Sequence, residues 1–188
     1  MKGALQVKLN QFKNAYHTKE TEDKNLNIVI CIYHKMGLYR KSTINELLEK
    51  LQENLKQECK NYEKVQIAYV YETPSLNVKK FAPFTKESPI YYKEPCIEKS
   101  PHSLANVWFM GLALLEQIQE DCEKRMYFVT DERFDVIQVN QIVYQKEDKF
   151  MLNSRFTKSN IQLFLVKSGQ TAGGELLEDY IRIYGEVL

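Results

Sequence analysis

The stretch Asn27-Ile28-Val29-Ile30-Cys31-Ile32-Tyr33, with the loop His34-Lys35-Met36-Gly37-Leu38 that leaves it, decides the fold. Its apolar run is rich in β-branched residues and has polar residues at both ends. Such a run is too short to cross a membrane and suits a strand buried on both faces. Ile44, Leu47, Leu48, Leu51 and Leu55 then recur at helical spacing and give one apolar face, on a helix expected to run to about Glu58. Thr43 and Glu46 have the spacing of a capping box at its start. A buried strand followed by an amphipathic helix is the first β–α step of a parallel sheet. In an open α/β sheet, ligands sit at the carboxyl ends of the strands. The loop after Tyr33 is therefore the first place to look for function. It has no Gly-x-Gly-x-x-Gly and no phosphate-cradling loop ending in Gly-Lys-Ser/Thr.

Upstream, Ala4-Leu5-Gln6-Val7-Lys8-Leu9 alternates and fits either an edge strand or a short helix. Residues 1–24 as a whole are mostly polar and read as a flexible or weakly structured lead-in, with no signal-peptide core. Residues 25–188 read as a single domain.

Downstream, Val65-Gln66-Ile67-Ala68-Tyr69-Val70-Tyr71 is a second strand, and Thr73-Pro74-Ser75 a turn. Leu76-Asn77-Val78-Lys79-Lys80-Phe81 alternates, as an antiparallel edge strand with one wet face does. Pro83, Pro89, Pro95 and Pro101 mark a long loop, with room for a helical turn near Thr85 and Ser88. Ser100-Pro101 suits a helix start. Leu104, Val107, Trp108, Gly111, Leu112, Leu115 and Ile118 follow at helical spacing, and Phe109, Met110, Ala113 and Leu114 make the other faces apolar too. A helix apolar nearly all round is a buried one, so Trp108 reads as core. Arg125-Met126-Tyr127-Phe128-Val129-Thr130 is a third central strand and Ile161-Gln162-Leu163-Phe164-Leu165-Val166 a fourth. Between them, residues 136–144 and 149–152 fit a hairpin or an irregular helix, and their β-branched residues favour the hairpin. A last helix capped by Thr171 would bury Leu176, Leu177, Tyr180, Ile181, Tyr184 and Val187.

The chain has 188 residues, enough for one domain with a real core. Its 26 basic and 25 acidic residues nearly cancel, so no global charge drives binding to nucleic acid or anionic lipid. No apolar run reaches the ~20 residues of a spanning helix. Cys31, Cys59, Cys96 and Cys122 are widely spaced and form no Cys-x-x-Cys pair. That pattern suits reduced thiols in a cytoplasmic protein. The lysines and glutamates of residues 41–64 alternate in sign, as on a solvated helix face.

Three segments resemble the von Willebrand factor type A domain. Val65-Gln66-Ile67-Ala68-Tyr69-Val70-Tyr71 and Val78-Lys79-Lys80-Phe81-Ala82-Pro83-Phe84-Thr85 look like its second strand and following hairpin. Residues 100–115 look like its loop and third helix, and Phe128-Val129-Thr130-Asp131 like its fourth strand with a Thr-Asp ending. The nearest kind is the short intracellular bacterial A domain, including those associated with tellurite resistance. The resemblance spans about residues 26–187 and rests on the order of the segments. It implies an α/β three-layer sandwich: a Rossmann-like, mostly parallel sheet with one antiparallel edge strand.

The family is known for a Mg²⁺ site built from Asp-x-Ser-x-Ser after the first strand, a Thr before the third helix and an Asp after the fourth strand. Here the Asp-x-Ser-x-Ser positions hold Tyr33-His34-Lys35-Met36-Gly37, the Thr position falls at or beside His102, and only Asp131 matches. The Mg²⁺ site is expected to be lost, and no cofactor is expected.

Two sharper readings compete with a plain one. His34, His102 and Asp131 map to one sheet edge, and two imidazoles with a carboxylate can hold a transition metal. The plain alternative is solvated loop histidines and a turn aspartate. A cysteine nucleophile needs a base beside it. Alternation points Cys31 away from His34, while Cys96 shares a loop with His102. The plain alternative there is unreactive thiols. The expected function is a metal-independent protein-interaction or scaffold module, not an enzyme. Its surface would be residues 34–39, 91–103 and 131–134, with His34, Lys35, Met36, Tyr91, Tyr92, Asp131 and Arg133 as contact residues. The alternatives are an enzyme using the rebuilt metal site or a cysteine, and a homo-oligomer joined through the edge strand at Leu76 to Phe81.

Overall fold

A computed structural model describes residues 25–33, 41–73, 75–88, 104–130, 155–156, 158–167 and 185–187. The fold is a mixed α/β arrangement on one sheet, in chain order β1 (Asn25–Tyr33), α1 (Lys41–Glu58), a 3₁₀ turn (Cys59–Asn61), β2 (Lys64–Thr73), β3 (Ser75–Pro83), α2 (Leu104–Glu116), β4 (Glu123–Thr130), β5 (Ile161–Lys167) and β6 (Gly185–Val187). The sheet runs β3-β2-β1-β4-β5-β6. Every neighbouring pair is parallel except β2 and β3.

β1 lies at the heart of the sheet and is buried on both faces, with residues 26 and 28–31 fully inaccessible. Burying each such aliphatic side chain contributes about 1.5–3 kcal/mol. Leu26, Ile28, Ile30 and Ile32 face one core together with Ile44, Leu47, Leu48, Leu51 and Leu55 of α1. Val29, Cys31 and Tyr33 face the other, with Val107, Trp108, Leu112 and Leu115 of α2. The two helices therefore cover opposite faces. The chain crosses from β1 to β2 with α1 on one face, then returns towards β4 with α2 on the other. Reversing both direction and face keeps one hand for both crossovers.

The apolar face of α1 is the one its periodicity predicts, and Glu49, Lys50, Glu53, Asn54, Gln57 and Glu58 are exposed. Its start is not: the helix begins at Lys41, so Thr43 is a helical residue and not the N-cap. Lys is a good helix former and nothing in Lys41-Ser42 breaks the helix earlier. On α2, Trp108 is fully buried, 5.2 Å from the Phe128 ring and edge-on to Phe156 at 6.0 Å. The far side of α2 is only half-buried at Phe109, Met110, Ala113 and Leu114, so the helix is not enclosed all round. Lys124, a buried cation on β4, gives its ammonium to the Ile118 carbonyl at 2.6 Å. Ile118 lies two residues beyond α2, so this bond holds the connection between α2 and β4. Arg155 clamps Glu116 at the same end of the helix with two bonds of 2.6 and 2.7 Å. Asn160, at φ 50°, turns the chain from this segment into β5, a left-handed role Asn tolerates.

The turn expected near residues 85–88 forms. The Ser88 amide donates to the Thr85 carbonyl at 3.1 Å, and Gln52 of α1 reaches the Ser88 carbonyl at 2.6 Å. β3 departs from simple alternation. Ile67 pairs with Ala82 and Tyr69 with Lys79, so Lys80 and Phe81 together oppose Ala68. This bulge puts Leu76 and Phe81 on the same, α2-side core, where strict alternation would separate them. Val187 also needs correction. It was expected on a helix, but it lies in β6 and pairs with Leu165. Gly185 weakens a helix there, and the open edge of β5 offers backbone partners that no local pattern reveals. The alternating piece at residues 4–9, the hairpin at 136–152 and the rest of the last helix lie outside the described residues. Among the described residues, no helix is long and apolar enough to cross a membrane.

α2 approaches β1 closely at Gly111, where a Cβ would stand 2.2 Å from the Cys31 Sγ. Gly111→Ala is expected to cost about 1–3 kcal/mol through overpacking. Ala's better helix propensity, about 1 kcal/mol, offsets only part of that. In a Cys31→Ala background the same change should be neutral or stabilising, because the next contacts of that Cβ are at an ordinary 3.4 Å. Urea unfolding of the four proteins in this cycle checks the reversal of sign.

Candidate functional site

The strand order places β1 between β2 and β4: the chain leaves β1 towards β2 on one side and leaves β4 towards β5 on the other. The order reverses between the carboxyl ends of β1 and β4, and such a switch point is the place where open α/β sheets in general hold ligands. Tyr33 and Thr130 are cross-strand partners at those ends, and Thr130 pairs in turn with Lys167. Thr130 is fully buried, one of the few polar side chains in the core. Tyr33 packs with the α2-side core, and Tyr71 of β2 with the α1-side core. The Lys79 ammonium lies 6.0 Å above the Tyr71 ring, a cation–π arrangement at the outer flank of this edge.

His34, Lys35, Met36, Tyr91, Tyr92, Cys96, His102, Asp131 and Arg133 all lie outside the described residues. What is described is the pair of strand ends from which two of these segments leave. Tyr33, which precedes His34, is the register partner of Thr130, which precedes Asp131. Among the described residues, no group of three or more His, Cys, Asp or Glu is placed to hold a metal ion.

Cys31 is fully enclosed under α2, with its thiol donating to the Val107 carbonyl at 3.6 Å. Burial raises its pKa well above the ordinary thiol range. Half-buried Cys59 is pushed up to about 11, by burial first and then by the Glu58 charge, against the opposing pull of Arg125. Neither is an activated nucleophile. Cys122 is also buried, and its sulfur accepts the Asn27 amide at 3.1 Å.

Periodicity gave no sign of a polar network towards the amino end of β4, on the α1 face. Arg125 donates to Glu123 at 2.7 Å from Nε, to the Tyr62 hydroxyl at 3.0 Å and to the Glu58 carboxylate. The Tyr62 hydroxyl donates in turn to Glu123. The guanidinium also stacks over the Tyr62 and Phe164 rings at 5.8 and 5.9 Å, and Phe164 stacks on Tyr127 at 4.7 Å. Burial works against the Arg125 charge, but Tyr127, Glu123 and Tyr62 outweigh it and hold the pKa above the ordinary arginine value. Tyr62 is raised, by burial first and then by its bond to Glu123. Each donor has an acceptor, so the cluster ties the end of α1 to β4 and is a staple, not a binding site. A cation inside an apolar strand was the available signal, but its partners come from distant parts of the chain.

An open groove of about 330 Å³ lies at the opposite end of the sheet from the switch point. Asn27, Gln66, Phe81 and the residues just after α2 line it. The edge strand β3 carries Lys79, Lys80, a bulge and a terminal Pro83, all features that oppose pairing with a strand of another chain. Comparison with known protein families and with curated proteins finds no match.

Two expectations follow from these environments. Arg125→Ala leaves Glu58, Glu123 and the Tyr62 hydroxyl without their shared donor. It should lower stability by about 1.5–3 kcal/mol, the range for hydrogen bonds to charged groups, as read from urea midpoints. In native protein, iodoacetamide should leave Cys31 unlabelled. Labelling of Cys59 should keep accelerating up to a pH of about 11, because the thiolate forms only there; peptide mass spectrometry across a pH series reads both.

Proposed function

We propose that this chain is a protein-interaction module with an A-domain-like fold that works without the family's metal ion. Three features support the likeness: the antiparallel β3 beside β2, the helices on opposite faces, and Thr130 at the end of β4. The observation that carries the metal-free reading is Tyr33. It stands where the family has its first ligand aspartate, and it is packed into the α2-side core at 6% exposure. A hard divalent cation needs clustered oxygen ligands. A buried aromatic side chain at that position, followed by Lys35 and Gly37, does not fit one.

The interaction surface is the carboxyl edge of the sheet at the β1–β4 switch point. His34, Lys35 and Met36 follow β1, and Asp131 and Arg133 follow β4. In this reading Tyr91, Tyr92 and His102 supply a third group of contact residues. The partner is a protein, met by Tyr91, Tyr92, Met36 and Arg133, residue types enriched at protein interfaces. Fold alone does not fix function, so the reading stands on this edge and its chemistry.

The test is capture of partners by the purified chain, with cross-linking, compared with a Lys35→Glu/Met36→Ala/Arg133→Glu variant. A partner should be retained by the parent in the presence of EDTA and lost by the variant, with both proteins melting at the same temperature. Retention that requires Mg²⁺, or that survives the triple change, overturns the reading. So does stoichiometric zinc, measured by plasma mass spectrometry and abolished by His102→Ala or Asp131→Ala. That result would favour a rebuilt metal site and catalytic assays.

A further inference from the structure

We draw no further inference here: the strongest candidate, the open groove at the amino ends of β1 and β2 beneath the end of α2, is lined by four carboxamides, one carboxylate and two apolar side chains that select no single ligand chemistry, and the Lys124 ammonium already occupies the Ile118 carbonyl beside it.

Discussion

β1 has no face left for water. Its side chains alternate between two cores, and its backbone is paired on both sides by β2 and β4. A strand in that position cannot exist alone, because half of its apolar surface would be exposed whichever helix were removed. The placement of α1 and α2 on opposite faces follows from this. So does the close seating of α2, whose Gly111 backbone rests against the Cys31 thiol. The central strand is thus both the most apolar segment of the chain and the one that dictates where every neighbouring element sits.

The elements read best from sequence are those whose burial is written in local order. β1, β2, β4 and β5 are apolar runs, and α1 and α2 repeat apolar residues at helical spacing. Features that depend on distant partners were not legible. The bulge in β3 leaves Leu76 and Val78 in one phase and Phe81 in the other, and only the pairing with Ala68 shows why. Val187 continues a helical spacing from Leu176, yet its backbone is claimed by β5. Arg125 is visible as a charge in an apolar strand, but Glu58, Tyr62 and Glu123 are brought to it only by folding. Of the candidate surface, the sequence pointed to the carboxyl ends of β1 and β4, and its residues lie outside the described ones. The described residues place the strand ends Tyr33 and Thr130 side by side. The loop residues beyond them were chosen by chemistry alone.

The two ends of the sheet differ in character. Towards the amino end of β4, charges are spent on internal ties: Arg125 to three oxygen acceptors, and Lys124 to the Ile118 carbonyl just beyond α2. At the carboxyl end, the described strands finish in buried Tyr33 and Thr130, and the chain then enters segments rich in charged and aromatic residues.

The bulge in β3 has a consequence for how this protein tolerates change. Lys80 and Phe81 share one position opposite Ala68, and Lys80 is the exposed member of the two. A chain lacking Lys80 would keep Leu76, Val78 and Phe81 on the same side, because regular alternation would then place all three there. The core would barely register the loss. The outer edge would become straighter and would lose a charge, leaving Lys79 and the terminal Pro83 to oppose pairing with another strand. One residue with no role in packing therefore contributes both the kink and one of the charges that guard this edge.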